Sequence, residues 1–590
     1  MNLTGRSSFI FLFSLAMFIA ATGCGDRGRR GLEEKQLRQA PGGVFYGGVF
    51  RLNESEYIKN LFPHNITDAY SYRVASQIYE GLFKFNDESL EVEPCLAESY
   101  EIDESRTVYT FHLKRGVYFH DNPCFPGGAG RELTAEDVRY AFTRLCTPDI
   151  NNQHFSIFKG LLKGADAYYA AAGTGQNTDS GVEGIRVTGP YTLELELIEP
   201  NALFTVHLAR PPCYIFPREA YERYGVDMRI NAVGTGPFAL QAADVDEDIS
   251  ILLRRNPKYH RIDANGNVLP YLDAINVQFI KDKKTELFEF RKGNLDMIYR
   301  LPTEFIIEIL EETMPGARGE YSQFELQRSP EMMTQILVLN NQSGVFSDLR
   351  VRKAFSFAID RAKILDFVLN GEGYAPGHHG ITPPVFSNYD IHSIQGFQLN
   401  IDSARFYLAS AGYPGGNNFP KIQFMLNAEG ERQTHVAVEI QKQLKDHLNI
   451  NIELIILPFA QLLEKSYRGE FVMMRGAWVA DFPSPENFLW VFNGSGVPKS
   501  AGEVSYPNIS RYSNQKFDEL FEEALRAPSI ESANAQFSRA EAMLMQDAPI
   551  IVLWYDEGYR LVQSYVRNFP NNPMQYRDFS EVFFHDALKL

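Results

Sequence analysis

An apolar stretch, Phe471-Val-Met-Met-Arg-Gly-Ala-Trp-Val-Ala-Asp481, ends on a carboxylate and runs directly into Phe-Pro-Ser-Pro485. The pattern delivers Trp478 and then Asp481 to the tip of a strand, where a proline-bearing loop begins. Ligands of α/β sheets sit beyond the carboxyl ends of strands, so an aspartate there can hold a cationic group. A buried ammonium must be paired, and an ionised carboxylate offers it a strong charge-assisted hydrogen bond. Position alone leaves a second reading equally open, in which Asp481 caps a helix after Pro485. Trp478 is either a flat apolar wall beside the carboxylate or ordinary core. Arg475 alternates imperfectly with Trp478 and reads as solvated.

Patterns for bond-breaking chemistry are missing. The chain contains no GxSxG, HExxH or P-loop. Gly234-Thr-Gly236 is followed by Pro237 and opens no helix, so it is not a dinucleotide turn. The carboxylate pairs Glu33-Glu34 and Glu311-Glu312 read as solvated faces, and His378-His379 as exposed residues in a Gly/Pro loop. The 12 histidines show no ligand spacing, and the five cysteines include no CxxC. We expect no enzymatic activity, no cofactor and no resident metal; a secreted hydrolase is the less favoured alternative.

The elements that would position such a site follow from periodicity. Residues 108–113 alternate Tyr109, Phe111 and Leu113 against Val108, Thr110 and His112, a half-buried strand. Thr134 with Asp137 forms a capping-box variant ahead of a helical stripe of Val138, Phe142 and Leu145. Residues 191–197 alternate in the same way. A strand is expected at 336–340, helices at 348–359 and 360–369 capped by Asp348 and Asp360, a helix at 432–448, and a strand at 450–457. Helix then strand, repeated, indicates α/β layering with parallel pairing.

The first 23 residues read as an export signal, with Arg6 ahead of an apolar run at 9–21 too short to span a bilayer. Ala21-Thr-Gly-Cys24 looks like a lipobox, with Cys24 the lipid acceptor and residues 24–41 a tether. The net charge of −17 and the lack of a basic stripe argue against nucleic acid. Beyond Cys24, an even set remains: Cys95, Cys124, Cys146 and Cys213. Sequence does not choose among their three pairings or free thiols.

The strings "LAESY", "YTFHLKRGVYFHD" and "LTAEDVRYAFTRL" across residues 96–145 resemble the signature of extracytoplasmic solute-binding proteins, the oligopeptide/dipeptide-binding family of peptide ABC importers. "IYEGLFKFN", "GTGPF" with "RNPKY", "DLRVRKAFSFAIDRAKIL" and "GAWVAD" extend the likeness over nearly the whole chain after residue 42. The resemblance implies an α/β, two-lobed type II periplasmic-binding-protein fold with an extra domain inserted in the first lobe. Lobe I would comprise 42–78, 209–305 and 553–590, the inserted domain 79–208, and lobe II 306–552. It implies that Asp481 holds a peptide α-ammonium beside Trp478, and that Asn65 and Thr67, in a loop resembling one that lines the cleft, bond the ligand backbone. Arg432 falls near an arginine that binds the peptide carboxylate in dipeptide binders.

The implied protein is a monomer held at the extracytoplasmic membrane face, closing its lobes on peptide and delivering it to permease and ATPase subunits. Relatives also carry oligosaccharides, nickel complexes or haem, so a non-peptide cargo is the alternative. The loop at 121–132 is longer than the family's turn and brings in Cys124, which could pair with Cys95 or Cys146.

Overall fold

The computed structural model describes residues 37–176, 181–246, 248–302, 304–427, 431–500 and 503–585. Cys24 and the export signal lie outside them. Of the expected tether, Arg38–Gln39 already pairs with Phe45–Tyr46.

Three sheets organise the chain. One has four strands in the order Phe238–Asp246, Ser250–Arg255, Ala274–Gln278, Val49–Asn53, the last pair parallel. A second, wholly antiparallel, is drawn from the chain between its members: Ala97–Ile102, Val108–Leu113, Thr192–Glu196, Ile185–Gly189. Here the alternation holds as expected, with Tyr109, Phe111 and Leu113 buried and the intervening residues half-buried. Helix Ala135–Leu145 lies beside this sheet, its N-terminus closed by the reciprocal Thr134–Asp137 capping box. Arg131 donates to Asp137 and Glu219, tying that turn to a neighbouring helix.

The third sheet runs Met297–Tyr299, Ile550–Val562, Glu325–Leu339, Met473–Val479, Ile422–Asn427, Ile452–Leu457, with Ala375–Pro376 attached to the second of these. Helices Leu349–Ala358, Ile401–Ser410 and Glu431–Leu448 cover one face, burying Leu337, Leu339, Ile551 and Leu553. Helices Gln515–Leu525 and Ile530–Asp547 cover the other, over Ile336, Val338, Met474 and Val552. Asp348 and Asp360 accept helical N–H groups, as their positions suggest. Pairing is mixed: Met473–Val479, Ile422–Asn427 and Ile452–Leu457 run parallel to one another, and the other pairs in this sheet are antiparallel.

Strand Glu325–Leu339 is three times longer than the apolar run at 336–340 suggests, because its first half is polar and contains Pro330. Proline lacks a ladder donor and is tolerated in strands where pairing is interrupted. The register against Ile550–Val562 indeed breaks between Pro330 and Thr334. These two long strands thus pair on either side of an interrupted ladder within the one sheet.

Cys95, Cys124, Cys146 and Cys213 are all free thiols, so the suggested Cys124 pairing is not made. Cys95 donates to Glu80 and Cys146 is enclosed in the apolar core; burial pushes both thiols up, and Cys124 to about 11.

Candidate functional site

Strand Met473–Val479 runs antiparallel to Glu325–Leu339, and its pleat separates two functions. Trp478 shares a face with Thr334 and Ile336, while Arg475 lies on the opposite face with Leu337. Trp478 is half-buried; its indole donates to Asn487 Oδ1 at 2.9 Å and meets Trp490 edge to face. The same Asn487 oxygen accepts the Asp481 backbone N–H at 3.3 Å. One amide in the following helix, Glu486–Leu489, therefore fixes both the ring and the carboxylate-bearing residue.

Asp481 is exposed to solvent yet crowded by protein, which pushes its carboxyl above the ordinary range. The opposing influence is the Arg210 guanidinium, which follows helix Phe204–Leu208. Arg210 stacks 4.4 Å above the Phe482 ring, and His207 meets the same ring edge-on. The loop after the strand thus docks, through buried Phe482, onto the 204–213 segment, and Asp481 lies beside that contact. Asp481 does not cap helix Glu486–Leu489, whose N-cap is Pro485.

Glu486 was not singled out in the sequence, although it too feels Arg210. Burial pushes it up to about 7, and its Oε2 has no hydrogen-bond partner among the described residues. Its unfolded value is 4.5, so folding takes up a proton between there and about 7. The stability it contributes is complete below 4.5 and is lost as pH rises through about 7. Glu486→Gln should therefore gain stability relative to the parent across that window, by on the order of 2 kcal/mol at its alkaline end. Urea midpoints measured along a pH series check this; a difference that does not change with pH would contradict it.

On the opposite face a cavity of about 190 Å³ is lined by Arg300, Arg432 and Arg475 together with Glu331, Glu372 and Asp556, among others. Arg432, in the first turn of helix Glu431–Leu448, donates to the Glu372 carbonyl at 2.7 Å and lies 3.8 and 3.9 Å from the Glu372 and Asp556 carboxylates. It is thus an engaged wall residue. Arg475, read as solvated, instead bonds Gln335 and Asn427 and lines the cavity. Asp556 is held by Gln335 and by the Trp554 indole.

Asn65 and Thr67 lie in the stretch from the short turn Pro63–Asn65 to helix Ala69–Ile78. Asn65 ends the short turn Pro63–Asn65 and reaches Asn151 at 3.5 Å, while the neighbouring carbonyls of His64 and Ile66 accept from Gln153 and His154. Thr67 is exposed ahead of helix Ala69–Ile78. No hydrogen bond or ring contact among the described residues joins either to Asp481, Trp478 or Arg432.

Two lobes of α/β structure around a crevice lined by fixed charges, with a third unit attached to the first lobe, define a solute-binding protein of the type II periplasmic class. The chain belongs to the bacterial extracellular solute-binding proteins, family 5, whose middle region matches residues 91–500. It is 27% identical over 535 residues to the probable deoxycholate-binding periplasmic protein YgiS of Escherichia coli, covering 90% of this chain and 92% of that one. It is 26% identical over 529 residues to the periplasmic oligopeptide-binding protein OppA of Salmonella typhimurium, covering 88% and 89%. The DppA structure from Helicobacter pylori in complex with peptide STSA superposes with a TM-score of 0.70 at 24% identity, over 92% of this chain and 98% of that one.

Proposed function

We propose that this chain captures oligopeptides or dipeptides in the interlobe crevice and delivers them, unaltered, to the permease and ATPase subunits of an ABC importer. The observation that carries the reading is Asp481: a crowded, solvent-reachable carboxylate at a strand tip, placed between the large sheet and the 204–213 segment. An incoming α-ammonium would be paired there, with Trp478 as the adjoining wall. Arg432 is the candidate for the peptide carboxylate, and Asn65 and Thr67 for contacts to its backbone.

In this reading the lobes close by a hinge, and the interrupted ladder at 330–334 opposite 555–557 is its natural position. The lobes are taken as 42–78, 209–305 and 553–590 for the first, 79–208 for the added domain and 306–552 for the second. Export, lipid attachment at Cys24, a monomeric state and an extracytoplasmic, membrane-held location complete the proposal. Among the described residues no helix is long and apolar enough to cross a membrane.

Native mass spectrometry of protein purified from cells tests it. A retained peptide, released with its mass unchanged on incubation, is the expected result; a ligand of another class, or a cleaved peptide, would overturn it. The second reading, a non-peptide solute, is favoured by the likeness to YgiS, a probable deoxycholate-binding protein.

A further inference from the structure

His379, the second of two adjacent histidines in the Gly377–Gly380 stretch, acquires a partner that their spacing does not reveal. His392, in the short turn Ile391–Ser393, turns its Nδ1 to within 3.2 Å of His379 Nε2, with the ring planes at 88°. The other nitrogen of His379, Nδ1, lies 3.1 Å from the Ile394 carbonyl. A carbonyl only accepts, so Nδ1 carries the proton and Nε2 presents a lone pair. The hydrogen between the rings then belongs to His392 Nδ1.

We propose that His379 and His392 form a surface site for a divalent transition metal, with zinc as its simplest occupant. For a cation to take the place of that shared hydrogen, His392 passes its proton from Nδ1 to Nε2 through solvent; both lone pairs then converge on the ion and each imidazole stays neutral. Two imidazole nitrogens at ~2.05 Å from a tetrahedral ion stand roughly 3.3 Å apart. The 3.2 Å separation already present therefore needs little adjustment. The Ile394 carbonyl is the outer partner that metal-bound imidazoles characteristically have, fixing tautomer and ring orientation. Among the described residues no third His, Cys, Asp or Glu converges on the pair, so water completes the coordination. An open recess of about 370 Å³, lined by Phe386, Asn388, Asp390 and His392, gives that water room. Imidazole donors suit zinc, copper and nickel over magnesium or calcium. The recess shares no residue with the Arg432 cavity, so the site is separate from the proposed cargo crevice.

Calorimetric titration of the untagged, chelator-stripped full chain with zinc chloride tests the site. One equivalent is expected to bind, with affinity falling as the solution is acidified through the histidine range. His379→Gln and His392→Gln should each weaken it about tenfold or more, whereas His435→Gln, exposed on helix Glu431–Leu448, should not. Thermal unfolding without metal verifies that each variant is folded, and His392, being exposed, tolerates replacement even where His379 does not. Absence of zinc binding, or binding unchanged by His392→Gln, would overturn the proposal. Peptide affinity should be the same with and without zinc, which separates this result from failure of the cargo reading.

Discussion

Asp481→Asn is expected to weaken binding of peptides with a free N-terminus by about 30-fold to 5,000-fold, the usual 2–5 kcal/mol for stripping one partner from an enclosed charge pair. The amide keeps the size of the side chain and its backbone bond to Asn487, so the loss reports charge rather than collapse of the loop. Acetylating the peptide should cost the parent protein a similar factor and the variant very little. Calorimetry on the four combinations gives the coupling directly. Equal losses on acetylation in both proteins would place the ammonium elsewhere. Retained affinity for a non-peptide solute in the variant would favour the second reading.

The largest stability effect is expected far from the crevice tip. Glu54 accepts from Arg73 at 2.8 Å and from Arg577 at 2.9 Å, and Glu54 and Arg577 are only 4% and 1% exposed at their side chains. Burial pushes Arg577 down to about 10 and Arg560, which repels it, to about 9, so both remain charged at neutrality. Arg577 Nε and Nη2 have no hydrogen-bond partner among the described residues. Glu54→Gln therefore leaves two guanidinium groups enclosed without their shared counter-charge, and should cost about 3–5 kcal/mol. Arg577→Met should cost far less, because it removes a repelling charge while filling the space with apolar atoms. Urea unfolding of the two variants decides; the reverse order would show that the Arg577 guanidinium, rather than the carboxylate, balances this cluster.

The contrast between what sequence reveals and what it hides follows from the range of the interactions involved. Strand Val108–Leu113 and helix Ala135–Leu145 were legible because alternation and the Thr134–Asp137 box are written in neighbouring residues. The polar half of Glu325–Leu339 was not, since its pairing with Ile550–Val562 supplies what its own composition lacks. The same holds at the crevice. Asp481 and Trp478 announce themselves at the end of an apolar strand, but Arg210 and Glu486 become relevant only when folding brings residues 204–213 onto Phe482. Arg475 was misjudged for a related reason. Its alternation with Trp478 places it on the other face, where the cavity partners come from five separate segments. Asn65 and Thr67 rested on likeness alone, and their local contacts run toward residues 151–154.

The most direct test of the central claim is the crystal structure of the protein with a tightly bound tripeptide or longer peptide. The account predicts closed lobes, the ligand α-ammonium within hydrogen-bonding distance of the Asp481 carboxylate, and its first residue against Trp478. A ligand seated with Asp481 facing bulk water, or with no cationic group near it, would contradict the account.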